Sequence, residues 1–303
     1  MPVPTDTALD VSDPAVATPP ATEAAPAKVN LALHVRGRRP DGYHELDTLV
    51  VFAADADTVE LAEGGDRLTI DGPFGALLRG DDTENLVLRA ARRLAARAGR
   101  SWPALRLTKN LPVAAGLGGG SADAAATLRL LTRAWRLPLA EQDIAAEGIA
   151  LGADVPMCLR SRPLIARGRG ERIEDVPAFP ALSMVLVHPA VAVSTGQVFA
   201  RLDSPEDPPL PELPERFETV ADFIRWLRPT RNGLADAARD VAPVIGNALL
   251  ALSNTGAMFA RMSGSGATCF GIFPFRDAAE HAARIIRAAE PSWWVSATTT
   301  GSS

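Results

Sequence analysis

The chain has 303 residues, 47% of them hydrophobic and 22% charged, with a formal net charge of -5. That length suits two domains of ~100–200 residues, and the composition excludes wholesale disorder. The acid excess and the lack of a basic stripe exclude a nucleic-acid binder, and every apolar run falls short of the ~20 residues that span a bilayer.

No basic segment followed by an apolar core opens the chain, so no secretory signal is read. Cys158 and Cys269 lie far apart in apolar or glycine-rich surroundings. They read as reduced thiols of a cytoplasmic protein rather than as metal ligands.

In chain order, residues 1–24 are rich in Pro, Ala, Thr and Asp without an apolar period and read as a disordered leader. Residues 27–35 alternate as a strand does, and 36–42 turn around Pro40, Asp41 and Gly42. Segments 46–52, 58–61 and 68–70 read as further strands. Residues 84–98 place Leu86, Ala90, Ala91 and Leu94 at helical spacing and stop at Gly99. A short strand over 104–108 leads into the densest glycine run, 111–121. Helices follow over 122–135 and 139–150, then a turn over 152–156.

The texture changes around 176–180. Beyond it come a strand over 183–187, a Pro- and acid-rich loop over 205–214, and helices over 220–227 and 243–254. Residues 261–273 read as strand, glycine turn and strand, and 278–289 as a last helix. Strands and helices mixed in two blocks imply an α+β architecture with domains at 25–178 and 179–303.

The glycine run carries the strongest chemical signal. Gly116, Gly118, Gly119 and Gly120 strip side chains from a loop that opens directly into a helix. Backbone N–H groups can then close on an anion, aided by the positive end of the helix dipole. A flexible linker fits poorly, because linkers are polar and seldom abut a helix. The run has neither the Gly-Lys-Ser/Thr ending of a Walker A loop nor the Rossmann glycine spacing. It contains no lysine, so charge for a phosphate must come from elsewhere. The chain holds 31 basic residues, of which only Lys28 and Lys109 are lysines. A compact, flexible ammonium differs from a guanidinium where a phosphate or hydroxyl must be reached. The single tyrosine, Tyr43, lies in a polar, glycine-bearing turn.

Residues 111–125 resemble the second motif of the GHMP kinases. Ala27-Lys28-Val29-Asn30-Leu31 resembles their first motif, and 262–268, with Gly264, Ser265 and Gly266, resembles their third. Three such motifs in order over ~240 residues are hard to obtain by accident. The resemblance spans about residues 25–290. It implies two domains, a ribosomal protein S5 domain 2-like one and then a ferredoxin-like one, and it implies ATP with Mg2+. The nucleotide residues so implied are Asn85, Lys109, Pro112, Val113, Ala114, Ala115, Gly116, Leu117, Gly118, Gly119, Gly120, Ser121 and Ala122, with Ser121 also touching the metal. Taken by itself, Asn85 reads as a helix N-cap.

Residues 41–46, with Tyr43 and His44, are similar to the segment that holds a cytidine in one branch of the family. A stacked base is worth ~1–3 kcal/mol on an aromatic ring, although a half-buried tyrosine in a turn is the simpler reading of this segment alone. Residues 194–199 resemble the segment completing that pocket, so that Thr195 joins it and Phe199 forms the wall opposite Tyr43; a core Phe on a helix is the plainer reading.

The resemblance therefore implies phosphorylation of the 2-hydroxyl of a cytidylated methylerythritol, in the non-mevalonate route to isoprenoid precursors. Asp154 would be the base, with Lys28 its partner at the hydroxyl, and Asn30, Gly264, Ser265 and Gly266 would be substrate residues. A turn Asp otherwise reads as a cap. The partner expected is a small molecule, not nucleic acid or membrane, and the protein a monomer or homodimer. A homoserine or mevalonate-pathway kinase is the near rival, disfavoured by Tyr43 and His44. A sensing module that has lost turnover is the distant one, disfavoured because Lys28 and Asp154 are both present. Two departures stand out. Ala114 and Ala115 occupy positions where many relatives have glycine, which stiffens the loop. Residues 231–235 match only the outer positions of the usual Asn-Asp-Leu-Glu pattern and receive no role.

Overall fold

The computed structural model describes residues 21–78, 85–203 and 206–300. The chain begins with two long antiparallel strands, β1 (Thr22–Arg38) and β2 (His44–Gly65), paired from Thr22 opposite Glu60 to Arg38 opposite His44. β1 thus starts inside the stretch read as leader, residues 1–20 of which lie outside the described residues. The cause is charge rather than apolar periodicity. Glu23 pairs with Arg129 and Arg133, and Arg129 also donates to the Ala24 carbonyl at 2.9 Å.

The two strands expected over 46–52 and 58–61 are one. The Ala- and Asp-rich interval between them looks like a loop in sequence. It stays extended because the fully buried Asp57 accepts from the backbone N–H groups of Asn110 and Leu111 at 2.6 and 2.8 Å. Buried backbone donors must find partners, and here a strand carboxylate supplies them.

β3 (Leu68–Asp71), α1 (Leu86–Ala98), β4 (Pro103–Thr108), α2 (Gly119–Ala134), α3 (Glu141–Leu151), α4 (Val155–Arg160), β5 (Leu164–Gly168) and β6 (Arg172–Asp175) complete the first unit. Its sheet runs β3-β4-β2-β5-β6, with β1 also on β2. Leu94 of α1 and Leu128 and Leu131 of α2 share one core with Val50, Leu105 and Leu107 of that sheet.

The second unit contains β7 (Ser183–His188), α5 (Thr195–Phe199), α6 (Val220–Leu227), α7 (Ala235–Val241), α8 (Val244–Asn254), β8 (Phe259–Met262), β9 (Cys269–Phe273), α9 (Arg276–Ala289) and β10 (Trp294–Thr299). Its sheet is antiparallel in the order β10-β7-β9-β8, which is the ferredoxin-like arrangement. The first sheet ends at Asp175 and the second starts at Ser183.

The two units share a further core. Leu31, Leu49 and Val51 of the first sheet are buried with Met184, Leu186 and Phe270 of the second, capped by Phe223 of α6. Backbone hydrogen bonds also join them, from Leu33 N–H to Arg231 and from Gly233 N–H to Leu33, at 2.9 and 2.7 Å.

Candidate active site

α2 begins at Gly119, earlier than the helical periodicity implies, so its first turn is built from the glycines themselves and Ser121. Two of the preceding glycines are sterically required. Gly118 caps the helix at φ 63°, and a Cβ there would lie 2.9 Å from Lys28 Cε. Gly116, at φ 75°, would place a Cβ 2.6 Å from the Ser263 carbonyl oxygen, because the glycine turn between β8 and β9 packs directly on it. The Ala114 departure has a visible consequence: it sits at φ 53°, in the left-handed region that costs about 1 kcal/mol for a residue with a Cβ.

A cavity of about 520 Å3 opens in front of this loop. Pro112, Val113, Ala114, Ala115, Gly116, Gly118, Gly119, Gly120 and Ser121 line it, together with Lys28, Asn30, Asn85, Asp154, Thr195, Phe199, Gly264 and Ser265. Leu117, Ala122 and Gly266 do not. Leu117 and Ala122 are buried in the core, Leu117 accepting from Lys28 N–H at 2.9 Å, and Gly266 packs on Met262. Asn85 has two places in the structure. Its Oδ1 caps α1 through the Val87 N–H at 2.9 Å, and the residue lines the cavity.

Lys28 Nζ stands 3.2 Å from Asp154 Oδ2 and donates to Asn30 Oδ1 at 3.0 Å. Asn30 is held in turn: its side-chain amide donates to Thr48 Oγ1 at 2.8 Å, and its backbone N–H donates to Ser263 Oγ at 3.0 Å. Ser263 Oγ donates to the Gly116 carbonyl at 3.1 Å, so the Lys28–Asn30 strand and the two glycine-bearing segments form one network. Asp154 precedes α4 but makes no capping bond, and its side chain remains 40% exposed. That leaves a carboxylate facing the cavity with one ammonium partner.

Lys109 lines the same cavity, but its ammonium is enclosed by Asp57 and Asp123, the latter at 2.8 Å. Lys109 thus reaches the cavity with its ammonium already paired to carboxylates. One ammonium between two buried carboxylates supports the loop from beneath, with Gly119 directly above it. Burial, and then the neighbouring Asp57, push the Asp123 carboxyl up to about 7 against the opposing pull of Lys109.

A second cavity of about 960 Å3 adjoins the first and shares Leu46, Ser121, Asp154, Thr195 and Phe199 with it. Tyr43 and His44 line it. Tyr43 and Phe199 thus line one cavity, each in contact with a further side chain. Phe199 stacks on His44, with centroids 4.8 Å apart and planes at 28°, and Tyr43 lies beneath the Arg169 guanidinium at 3.8 Å. The His44 imidazole is held below its ordinary pKa by burial and by Arg38, which favours the neutral ring. Thr195 Oγ1 meets Ser265 Oγ at 2.8 Å, joining this cavity to the β8–β9 turn.

Sequence reasoning missed several supports. Asn232 lies in the segment left without a role, yet its buried amide donates to the Met262 and Gly264 carbonyls, both at 2.8 Å, and its Oδ1 accepts from the Leu234 N–H. The outer match to the family pattern was its only sequence signal. Thr48, Arg38 and Arg169 carried none, because each sits in an unremarkable strand or turn.

The chain matches the GHMP kinases N terminal domain over residues 85–162 and the GHMP kinases C terminal domain over residues 210–292. It is 49% identical over 282 residues to a Rhizobium etli protein called 4-diphosphocytidyl-2-C-methyl-D-erythritol kinase, covering 92% of this chain and 94% of that one. A crystal structure of 4-(cytidine 5'-diphospho)-2C-methyl-D-erythritol kinase superposes with a TM-score of 0.76 at 35% identity, covering 93% of this chain and all of that one. Homoserine kinase from Cytophaga hutchinsonii shares the fold, with a TM-score of 0.61 at 18% identity over 92% of this chain and 93% of that one. With both domains matched, and a relative of nearly half-identical sequence along almost its whole length, this chain belongs to the GHMP kinase family, within the group of 4-diphosphocytidyl-2-C-methyl-D-erythritol kinases.

Proposed function

We propose that this chain transfers the γ-phosphoryl group of ATP to the 2-hydroxyl of 4-diphosphocytidyl-2-C-methyl-D-erythritol, giving ADP and the 2-phosphate. The observation that carries this reading is the 3.2 Å Lys28–Asp154 pair, with Asp154 at the junction of the two cavities. One chamber is built for phosphates by glycine backbone and a helix N-terminus. The other is walled by Tyr43, His44 and Phe199, which suits a pyrimidine.

Phosphoryl transfer is mostly positioning and charge stabilisation. Lys28, oriented by Asn30, holds the acceptor hydroxyl and the transferring group. Asp154 accepts the hydroxyl proton as the new oxygen–phosphorus bond forms and the bond to ADP breaks. General-base assistance of this kind contributes ~100–10,000-fold. The backbone amides of residues 118–121 hold the nucleotide phosphates, and Asn85 faces the base of ATP. Ser121, whose hydroxyl makes no hydrogen bond to the described residues and which lines both cavities, suits a Mg2+ ion held chiefly through phosphate oxygens. That ion supplies charge neutralisation. No His, Cys, Asp or Glu cluster able to hold a metal exists among the described residues, in keeping with an ion that arrives with ATP. The setting proposed is the cytoplasm, with a monomer or homodimer acting on a small molecule. No helix among the described residues is long and apolar enough to cross a membrane.

The test is ADP release from MgATP with the cytidylated substrate, mevalonate or homoserine as acceptor. Release with the cytidylated substrate alone is expected. Release with another alcohol would retain the phosphoryl chemistry and discard the base pocket, and silence with all three despite ATP binding would indicate a sensing protein.

A further inference from the structure

Thr48 lines the first cavity, yet the reaction as derived so far gives it no part. It lies on β2 two residues beyond Leu46, so both side chains project from the same face of the strand into the cavity. On the facing strand, β1 carries one extra residue between Asn30 and Ala32: Asn30 stands opposite Val50, but Ala32 stands opposite Leu49. Such a bulge re-aims side chains beside an active site. Here it brings two groups of β1 within reach of Thr48 Oγ1. The hydroxyl donates to the Ala32 carbonyl at 2.6 Å and accepts from Asn30 Nδ2 at 2.8 Å. Asn30 Oδ1, on the other side of the amide, accepts from Lys28 Nζ at 3.0 Å. Lys28, Asn30 and Thr48 are all buried, so water does not compete for these bonds.

We infer that Thr48 is a positioning residue for the reaction: it sets the direction of the Asn30 amide and, through it, the place of the Lys28 ammonium. The inference rests on the proposed phosphoryl transfer, in which Lys28 acts at the acceptor hydroxyl. A threonine hydroxyl has one hydrogen to give. With that hydrogen committed to the Ala32 carbonyl, Thr48 presents only a lone pair to Asn30. A lone pair accepts from the amide NH2 and repels the amide oxygen, so the oxygen is turned toward Lys28. The reversed amide would set two donors, NH2 and ammonium, against each other at one end and two acceptors at the other. The Asn30 backbone bond to Ser263 fixes the strand but not the direction of the side chain. Lys28 Nζ is thus tied to Asn30 by a directed bond and to Asp154 by charge at 3.2 Å, which fixes where the ammonium stands. Thr48 needs no contact with the substrate for this role.

The experiment is steady-state turnover of the cytidylated substrate with MgATP in Thr48→Val, Thr48→Ser, Asn30→Ala and the double variant Asn30→Ala/Thr48→Val. Valine keeps nearly the same shape without the hydroxyl, and serine keeps the hydroxyl. Thr48→Val should lower kcat about tenfold with both KM values within about threefold, and Thr48→Ser should hold kcat within about threefold of the unaltered chain. A group that acts through Asn30 has nothing to direct once the amide is gone. In the Asn30→Ala background Thr48→Val should therefore cost less than about twofold more. A tenfold further loss there would overturn the inference and leave Thr48 with a packing role alone. So would an unchanged kcat in Thr48→Val, or a serine variant as impaired as the valine one. Thr48→Ala takes the place of Thr48→Val if the latter does not fold, because a water in the vacated space can bond Asn30 and Ala32 without imposing a direction on the amide. The same tenfold fall is expected of it, and an unchanged kcat overturns the inference. If the unaltered chain releases no ADP with the cytidylated substrate, the proposed function fails and the role of Thr48 with it, whereas turnover indifferent to Thr48 removes only the latter.

Discussion

Lys28 keeps a partly exposed partner, Asp154, whereas Lys109 is enclosed by two buried carboxylates. The difference separates a group that can change partners during a reaction from one that cannot leave its site without stranding buried charge. Asp154→Asn and Lys28→Ala should each lower kcat by ~100-fold or more and leave ATP affinity within a few-fold. Single-turnover kinetics with an independent nucleotide titration checks this, and near-normal turnover in either variant would remove the assignment. Gly118→Ala tests the steric argument. Its Cβ would press on Lys28 Cε at 2.9 Å, and misplacing a reacting group by an ångström costs ~100-fold. The expected result is that kcat falls by that order while a thermal melt shows a stability loss of only about 1 kcal/mol. A larger unfolding effect with intact turnover would mean that the loop, not the lysine, gives way. Lys28 and Asp154 were legible as motif residues, but the fate of Lys109 was not. Its partners lie on β2 and α2, and nothing in the sequence around it indicates that they converge.

Individual elements depend on side chains borrowed from others. The β8–β9 glycine turn has few side chains with which to hold itself, and Asn232 holds it from outside with two donated bonds. Asn232→Ala would leave buried carbonyls unsatisfied, and a loss of about 2–4 kcal/mol in urea unfolding is expected. A change below 0.5 kcal/mol would show that the turn is self-supporting. His188, at the end of β7, is buried beside Thr268, and burial lowers its pKa to about 4. The unfolded chain protonates this imidazole near its ordinary value of ~6.5, so the folded state binds fewer protons between that pH and about 4. Stability from the neutral ring is therefore complete above pH ~6.5 and is lost as pH falls through the folded value. His188→Gln should flatten this acid limb in pH-dependent melts, and an unchanged limb would assign it to other groups. Among the elements, β2 was read as two strands because an Ala- and Asp-rich interval resembles a loop. Its extension depends on Asp57 meeting backbone donors far along the chain. The helices α4, α5 and α7, at five to seven residues, are too short to show a helical period, and β5, β6 and β10 were not read.

At the scale of the whole molecule, the two units do not have independent interiors. Leu31, Leu49 and Val51 are buried with Met184, Leu186 and Phe270, and Asn30 bonds Ser263 across the chain. Calorimetry should therefore give one transition with matching van't Hoff and calorimetric enthalpies. Two resolved transitions would mean that the shared core contributes little. The sequence by itself determined the α+β class, the order of the motif segments and the residues proposed to carry the phosphoryl chemistry. Glycine spacing, a helix start and a lone lysine are local properties of the chain, so they are readable without a fold. Only the tertiary structure decided that Lys109 sits between Asp57 and Asp123, that Phe199 stacks on His44, and that Arg38 and Arg169 share a cavity. Those outcomes depend on which strands pair and which turns pack together, and a buried charge or ring takes whatever partner that packing leaves within reach.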